Sequence, residues 1–268
     1  MTKHRKGQLS ASEIRGIALV IIGVTALLFY YRWWFVEGRL TSPWLLLGFF
    51  IALIYTGIQI IGNWLLYLAT HHRYRITCPQ DGENLSVDVF VTACGEEYSL
   101  VERAMIAACA MRGTHRTWLL DDGHDPALAH LAAQLGAGYL TRNGRHHAKA
   151  GNINAALTQT EGDIVVIFDI DHAPRADFLE RTLGCFADPT IGFVQVMLTF
   201  ENQQDGWVAQ AAADSSLDFY NPTAIGTDGM RSATLVGSNA LIRRQALNSI
   251  DGYHPGLAED LATSIALH

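Results

Sequence analysis

The sequence predicts an α/β fold with a mostly parallel sheet, preceded by two transmembrane helices. Short apolar runs alternate with helical stretches from about residue 87 to residue 198, which is the pattern of a parallel sheet with helices on both faces. Acidic residues directly follow two of these runs, and such sheets bind ligands beyond the carboxyl ends of their strands. Two apolar stretches near the amino terminus are each long enough to cross a bilayer.

Composition supports a membrane-embedded part and excludes one class of partner. Of the 268 residues, 49% are hydrophobic and only 17% are charged, and the formal net charge is −7. A negative chain offers no basic surface to nucleic acid, so we expect no nucleic-acid partner. The four cysteines show neither a disulfide framework nor metal-binding spacing, and we predict that all four are reduced thiols: Cys78, Cys94, Cys109 and Cys185.

The apolar stretches span about residues 14–36 and 44–69. Each exceeds the roughly 20 residues that a membrane-spanning helix needs, and aromatic residues near the end of the first are typical of a membrane interface. Basic residues flank the pair on its outer sides, so the positive-inside bias puts both ends in the cytoplasm. The flanking residues are Lys3, Arg5, Lys6, Arg15, Arg73 and Arg75.

We therefore predict a membrane region, residues 1–75, followed by a cytosolic domain, residues 76–268. The predicted location is the inner (plasma) membrane, in which the protein is multi-pass, with the amino terminus and the cytosolic domain in the cytoplasm. The alternative is a pair of buried helices in a soluble protein, which the length of both stretches disfavours.

Within the cytosolic domain, periodicity and turn residues predict the order of elements. The predicted strands are Val87–Thr92, Thr117–Leu120, Gly138–Leu140, 163–168 and Gly192–Leu198. The predicted helices are Leu100–Met111, Ala127–Leu135, Ala150–Thr158 and Ala176–Phe186, and another helical run opens at Ala258.

The run that ends in Asp169-Ile170-Asp171 is the most informative about function. Alternate residues of a strand point the same way, so both carboxylates can face one ligand at the strand's carboxyl end. Ligation by oxygen suits Mg²⁺ or Mn²⁺, which proteins usually bind through one or two carboxylates together with substrate phosphates. A D-x-D sequence by itself is commonly a solvated turn, and the neighbouring motifs favour the metal site.

Three further motifs lie at the ends of predicted elements. Asp121-Asp122-Gly123 follows a strand and is either a simple turn or part of the same site. The segment from His147 to Asn152 leads into a helix, whose free N–H groups could hold a diphosphate beside Lys149; an ordinary loop is the alternative. Glu259-Asp260 either complements the dipole of a helix or supplies a general base.

Taken in order, these motifs resemble those of the processive family 2 glycosyltransferases, and most of all those of bacterial cellulose synthases. The segments that carry the resemblance are Val87 to Glu96, Asp121-Asp122-Gly123, His147 to Asn152, Asp169-Ile170-Asp171, Gly237-Ser238 and Glu259-Asp260. The resemblance implies a GT-A-like, Rossmann-type fold and a metal-dependent, membrane-bound enzyme. Such an enzyme transfers a sugar from a UDP-sugar to a growing polysaccharide with inversion to a β-glycoside.

The resemblance also implies residue roles and partners. Asp121 or Asp122 would hold uridine, and His147 and Lys149 would lie near the diphosphate. Asp169 would contact the nucleotide-sugar and the metal, and Asp171 would bind the Mg²⁺ or Mn²⁺. Asp260 would be the catalytic base, with Glu259 beside it as a substrate-binding residue. The partners would be the UDP-sugar, a polysaccharide acceptor, the lipid bilayer and other subunits of a synthase complex.

The chain departs from the family pattern at several points. Ala93-Cys94-Gly95-Glu96 stands where the family commonly has Thr/Ser-Tyr-Asn-Glu, and Ala258 replaces the Thr of T-E-D. The Q-x-x-R-W motif does not follow before His268, so we expect the chain to be truncated at its carboxyl end. Two alternatives stay open: a non-processive transferase with a lipid acceptor, and a non-catalytic membrane subunit that binds nucleotide.

Overall fold

The computed structural model describes residues 10–36, 42–70 and 85–268. These residues form ten α-helices: α1 Ala11–Trp34, α2 Pro43–Ala69, α3 Tyr98–Cys109, α4 Pro126–Gln134, α5 Ala148–Leu157, α6 Phe178–Thr182, α7 Trp207–Asp218, α8 Ile225–Gly229, α9 Arg244–Ser249 and α10 Glu259–Leu267. They also form six strands: β1 Val87–Ala93, β2 Arg116–Asp121, β3 Gly138–Leu140, β4 Ile164–Asp169, β5 Phe193–Gln195 and β6 Ala240–Arg243. A 3₁₀ turn, Leu183–Ala187, follows α6, and a π-helical turn, Phe219–Ala224, joins α7 to α8.

Helices α1 and α2 match the two predicted apolar stretches. Both are long and apolar enough to cross a membrane, and only 6% and 11% of their most apolar windows are buried, whereas a core helix of a soluble protein would be mostly buried. A capping box starts α1, in which Ser10 and Glu13 exchange hydrogen bonds. Of the basic residues that predict orientation, Lys3, Arg5, Lys6, Arg73 and Arg75 lie outside the described residues.

A helical segment that the sequence analysis left unassigned packs against α2. A Cβ atom added at Gly226 of α8 would lie 2.5 Å from the carbonyl oxygen of Leu66, so the two backbones are in direct contact. Residues 200–233 therefore cluster with the described residues before 71, and the described residues of 75–199 cluster with 234–268. The predicted boundary at residue 75 had placed residues 200–233 in the cytosolic domain.

The second of these units contains a single sheet with the strand order β3-β2-β1-β4-β6-β5. Strands β1, β2, β3 and β4 are parallel to one another, and β6 is antiparallel to both β4 and β5. The predicted mostly parallel sheet is confirmed. Strand β6 was not predicted, because it runs directly into α9 and no turn residue marks its end. Below, the carboxyl end of the sheet is the end at which β1, β2 and β4 finish, and the amino end is the opposite one.

Apolar layers cover both faces of this sheet. Because successive strand residues point to opposite faces, Val89 and Val91 of β1 pack into one layer with Met105 of α3, whereas Phe90 packs into the other with Ile153 of α5. Burial of both faces holds the strands in register, and so it fixes the positions of the polar residues that follow β1, β2 and β4.

The cysteine prediction is partly wrong. Cys94 and Cys109 are free, and burial raises the pKa of the Cys109 thiol. Cys185 is disulfide-bonded, which the spacing of the cysteines did not reveal. Cys78 lies outside the described residues.

Candidate active site

Four segments meet at the carboxyl end of the sheet, and three of them carry charged side chains. The acidic pair Asp121-Asp122 ends β2, and the segment from Arg142 to Lys149 leads into α5. Asp169 ends β4, and Gly237 and Ser238 precede β6. Hydrogen bonds described below join these segments, and α10 approaches them through its first turn.

Asp169, Asp171 and His172 form a cluster with the spacing of a metal site. Each offers one ligand atom, and these three atoms lie within 4.8 Å of one another. The Asp171 side chain is 68% exposed and that of His172 is 22% exposed, and Nε2 of His172 lies 3.6 Å from Oδ1 of Asp171. Among the described residues, this is the one group of three or more histidine, cysteine and acidic side chains with such spacing. Sequence reasoning missed His172, although it directly follows Asp171.

A buried hydroxyl orients this cluster. Oγ of Ser238 accepts a hydrogen bond from the backbone N–H of Asp169 at 2.9 Å and lies 2.6 Å from Nδ1 of His172. Gln195 fixes the segment that carries Ser238, because its Nε2 donates to the Ser238 carbonyl at 2.7 Å and its Oε1 accepts from the N–H of Val236 at 2.8 Å. A histidine ligand usually has such a partner on its second nitrogen.

Lys149 connects the metal-type cluster to the predicted base. Its Nζ donates to Oδ1 of Asp169 and to the carbonyl oxygen of Gly237. A Cβ atom added at Gly237 would lie 3.8 Å from that Nζ and 3.6 Å from Oδ2 of Asp260, so Lys149 and Asp260 are both neighbours of the same glycine. Lys149, Asp169 and Asp260 therefore converge, although they lie far apart in the sequence.

The first turn of α10 is held in place by buried hydroxyls. Oγ of Ser264 donates to the Asp260 carbonyl and accepts from the N–H of Leu235, both at 2.7 Å. Oγ1 of Thr263 donates to the Glu259 carbonyl at 2.6 Å and accepts from the N–H of His254 at 3.0 Å. These bonds tie the helix that carries both predicted acids to the segment before β6 and to the loop before α10.

Tyr253 is a buried neighbour of the acidic groups that sequence reasoning also missed. Burial raises the pKa of its hydroxyl, and the negative charges of Asp260, Glu259 and Asp169 raise this pKa further. The backbone of Tyr253 exchanges two hydrogen bonds of 2.8 Å with the side chain of Asn154 on α5. Tyr253 therefore packs between α5 and the acidic turn.

The acidic pair after β2 is buried and already hydrogen-bonded. Asp121 accepts bonds from the N–H of Gly123 at 2.6 Å, the N–H of Asp125 at 2.8 Å and the hydroxyl of Tyr139 at 2.8 Å. A carboxylate has about four acceptor positions, so three bonds leave Asp121 little capacity for a ligand. Both oxygens of Asp122 accept from Arg142, at 2.8 and 2.6 Å. Burial raises the pKa of Tyr139, as does its bond to Asp121.

His147 begins α5 in a left-handed conformation. It is the N-cap residue with a φ of 62°, and Ala148 has a φ of 42°. The side chain of Asn152 in the first half of α5 donates to the carbonyl oxygen of Leu120 at 3.0 Å. This bond joins the start of α5 to the end of β2, beside the acidic pair.

The sequence matches the profile of the family described as "Glycosyl transferase family 2" over residues 88–251. This match spans the strands, the acidic cluster and Lys149. The chain belongs to glycosyl transferase family 2.

Cellulose synthases are among its relatives. Cellulose synthase 1 of Komagataeibacter xylinus is 31% identical over 94% of this chain, which spans 17% of that protein. The "Cellulose synthase catalytic subunit [UDP-forming]" of Xanthomonas axonopodis pv. citri (strain 306) is 31% identical over 94% of this chain, which spans 37% of that protein. The predicted resemblance to a cellulose synthase catalytic subunit is confirmed, and the chain is much shorter than either relative.

The fold is also found in a solved glycosyltransferase. The mannosyltransferase PcManGT from Pyrobaculum calidifontis, solved in complex with GDP-Man and Mn²⁺, superimposes with a TM-score of 0.62 at 18% identity; the match covers 79% of this chain and 59% of that one. At this identity the likeness shows the fold alone. It confirms the predicted GT-A-like architecture.

Proposed function

We propose that this glycosyltransferase is the catalytic part of a membrane-bound, inverting enzyme that transfers a sugar from a UDP-sugar to a growing polysaccharide. The observation that carries the proposal is the convergence of a metal-type cluster, a lysine and a carboxylate at one end of the sheet. Lys149 bonds to Asp169 of the cluster, and the glycine that Lys149 contacts is also the neighbour of Asp260.

The residues present fit a divalent cation that is bound together with a diphosphate. Asp169, Asp171 and His172 provide two carboxylate oxygens and an imidazole nitrogen, a set that suits Mg²⁺ or Mn²⁺, with the nitrogen more typical of Mn²⁺. When bound there, the cation would offset the negative charge that grows on the departing diphosphate. Lys149 and the N–H groups at the start of α5, near His147, would hold the diphosphate itself.

Asp260 is the general base in this proposal. The oxygen of an acceptor hydroxyl forms a bond to the anomeric carbon, while the bond from that carbon to the diphosphate breaks on the opposite face. The hydroxyl proton passes to the Asp260 carboxylate, and UDP leaves with the bonding electrons. Attack opposite the leaving group inverts an α-linked donor to a β-glycoside. Glu259 precedes the base in the same first turn and would contact the substrate.

The relatives and the two apolar helices support the donor, the acceptor and the membrane location in this proposal. The Xanthomonas relative is a UDP-forming cellulose synthase catalytic subunit, which supports a UDP-sugar donor and a polysaccharide acceptor. Helices α1 and α2 would cross the inner membrane, with the domain after residue 75 in the cytoplasm. Asp122 and Asp121 would border the uridine from their buried positions after β2.

Substituting the two acids separately tests the proposal, with the protein expressed from its whole gene and purified in detergent. Asp260→Asn should bind UDP with nearly unchanged affinity but turn over about 10²–10⁴-fold more slowly, because only proton removal is lost. Asp171→Asn should weaken the binding of UDP in the presence of Mn²⁺ and have little effect without the metal. UDP release measures turnover, and calorimetry measures binding.

Asp214→Asn, a change of an exposed acid on α7, is the matched control and should preserve both properties. Full turnover by Asp260→Asn would mean that another group is the base. UDP binding without turnover in the unsubstituted protein, across several UDP-sugars and with Mg²⁺ or Mn²⁺, would overturn the enzymatic function and favour a nucleotide-binding subunit.

A further inference from the structure

Arg142, in the loop between β3 and α5, makes a set of hydrogen bonds that the proposed chemistry does not use. Its Nε and Nη2 donate to the two oxygens of Asp122 at 2.8 and 2.6 Å. Its Nη1 donates to the carbonyl oxygen of His146 at 2.5 Å, and Nη2 also donates to that of Ala148 at 2.7 Å. The side chains of Arg142 and Asp122 are only 11% and 5% exposed.

These bonds hold an unusual stretch of backbone. The two carbonyls that Arg142 binds lie on either side of His147, and His147 and Ala148 both have positive φ. Such a conformation is costly for residues other than glycine and persists only when the surrounding structure enforces it. Arg142 supplies such a constraint, because it connects the peptide groups on both sides of the His147-Ala148 pair to Asp122 at the end of β2.

Arg142 and the loop before α5 lie so close to Gly151 that a larger residue at this position of the helix would clash. A Cβ atom added at Gly151 would lie 2.1 Å from the carbonyl oxygen of His146 and 2.3 Å from Nη1 of Arg142. The loop and the guanidinium group therefore lie directly against the first turn of the helix. Lys149 leaves that same turn and reaches Asp169.

We propose that Arg142 is a positioning residue for the donor diphosphate: it fixes the start of α5 so that Lys149 and the free N–H groups of the first turn face the metal-type cluster. The inference rests on the proposed function of that site. Arg142 has five N–H donors, and the four bonds described above go to protein atoms. It therefore acts through the backbone and through Asp122.

A second arginine in the same domain allows the positioning role of Arg142 to be distinguished from a contribution to stability alone. Arg244, at the amino end of the sheet, donates to Asp88 at 2.9 Å and to the carbonyls of Gly162 and Leu157 at 2.5 and 3.0 Å. Its side chain is 13% exposed. The two arginines therefore have similar burial and similar partners, but only Arg142 lies beside α5's first turn.

The experiment compares Arg142→Lys with Arg244→Lys in the protein expressed from its whole gene. Lysine keeps the charge but cannot bind a carboxylate and two carbonyls in the same planar geometry. Both changes should lower the midpoint of thermal unfolding. Only Arg142→Lys should also weaken UDP binding with Mn²⁺, by about 10- to 100-fold, since small misplacements of binding groups have effects of that size. UMP, which lacks the second phosphate, should lose much less affinity.

Several outcomes would overturn the proposal. Equal UDP affinities for Arg142→Lys and Arg244→Lys would mean that Arg142 only stabilises the fold. An equal loss of affinity for UMP and for UDP in Arg142→Lys would mean that Arg142 acts on the binding of the nucleoside. Gly151→Ala, whose added Cβ atom would lie 2.1 Å from the carbonyl oxygen of His146 and 2.3 Å from Nη1 of Arg142, provides a second test if Arg142→Lys does not fold, and it should weaken UDP more than UMP. Unchanged UDP affinity in Lys149→Ala would instead show that the start of α5 is not the diphosphate site, which is a failure of the proposed function.

Discussion

The two ends of the central sheet carry similar arginine–aspartate pairs but differ in what they leave for a ligand. At the amino end, Asp88 accepts hydrogen bonds from Nε1 of Trp118 at 2.8 Å, the N–H of Gly162 at 2.6 Å and Arg244 at 2.9 Å. At the carboxyl end, Asp122 is paired with Arg142 through both of its oxygens, but Asp169 and Asp171 at the same end are 37% and 68% exposed. The polar groups around Asp88 are therefore satisfied by protein atoms, whereas the carboxyl end has acidic side chains that are accessible to a ligand.

The presence of a groove therefore does not by itself identify the site. A groove of about 520 Å³ lies at the amino end, lined by Asp88, Trp118 and Gly162 among others, but the polar groups of these three residues are already bonded to the protein. At the carboxyl end, exposed carboxylates and a histidine stand close together without a closed network around them. Groups of that kind, whose like charges lie close together, favour a bound cation.

The largest effect should come from breaking the closed network at the amino end. Asp88→Ala would leave Arg244, Nε1 of Trp118 and the N–H of Gly162 without their shared acceptor. Removing one partner of a buried ion pair costs about 3–5 kcal/mol, so we expect a large fall in the free energy of unfolding, measured by denaturation in detergent. The folded fraction should still bind UDP normally, because Asp88 lies at the opposite end from the acidic cluster.

Glu180→Ala is the control for this change. Glu180 pairs with Arg112 at 2.6 Å, but the side chains are 47% and 56% exposed, and solvent-exposed pairs contribute little. Stability should therefore stay the same. If Asp88→Ala weakened UDP binding without lowering the free energy of unfolding, the assignment of stability to the amino end and of ligand binding to the carboxyl end would be wrong.

The fold was largely predictable because its main signal is local. The strands β1, β2 and β4 are apolar runs whose burial on both faces leaves a clear pattern, and α1 and α2 are long apolar stretches. Two features were missed for physical reasons. Strand β6 runs directly into α9 without a turn residue between them, and α8 packs against α2, a partner more than a hundred positions earlier in the chain.

The site was predictable where residue type and position within an element agree. Asp169, Asp171 and Lys149 were found because they end a strand or open a helix. Arg142 was not found, because its role depends on hydrogen bonds to Asp122, 20 positions earlier. Ser238 was noted only within a motif of the family resemblance, because its bonds to Asp169 and His172 join residues 69 and 66 positions apart. His172 had a usable signal, since a histidine directly after D-x-D extends the ligand run.

A smaller effect is expected at the carboxyl end of the sheet, from removing the hydrogen-bond partner of His172. Ser238→Ala would remove the acceptor for the N–H of Asp169 and the group that fixes Nδ1 of His172. The loss of such a partner typically weakens metal binding about 10- to 100-fold, so we expect a loss of that size in Mn²⁺ affinity, followed by electron paramagnetic resonance of the free ion. Ser249→Ala, which removes a hydroxyl bonded only to the nearby Ala246 carbonyl at 2.7 Å, should leave Mn²⁺ binding unchanged. Equal affinities in both variants would remove Ser238 from the support of the metal site.

The smallest effect is expected at the amino end of the sheet, from the exposed carboxylate of Asp163. Hydrogen bonds from the side chain and the backbone of Ser86, at 2.6 and 2.9 Å, lower the pKa of Asp163 below its ordinary value of 3.8. A carboxyl group whose pKa is lower in the folded state stabilises the protein above its unfolded pKa, and this contribution disappears as the pH falls through the folded pKa.

Ser86→Ala removes the side-chain hydrogen bond, which lowers the pKa of Asp163 more than the backbone bond does. The pKa of Asp163 in the folded protein should therefore rise toward 3.8. The variant should be slightly less stable than the unsubstituted protein near neutral pH, and the difference should shrink as the pH falls below that value. Unfolding midpoints of the two proteins between about pH 6 and about pH 3 measure this convergence. A difference that stayed constant over the whole range would show that the Ser86 hydroxyl acts through the bond that it accepts from the N–H of Asp163, at 3.0 Å, and not through the charge of Asp163. UDP affinity should be the same in both proteins at every pH at which they are folded, because Asp163 directly precedes the strand that Asp169 ends.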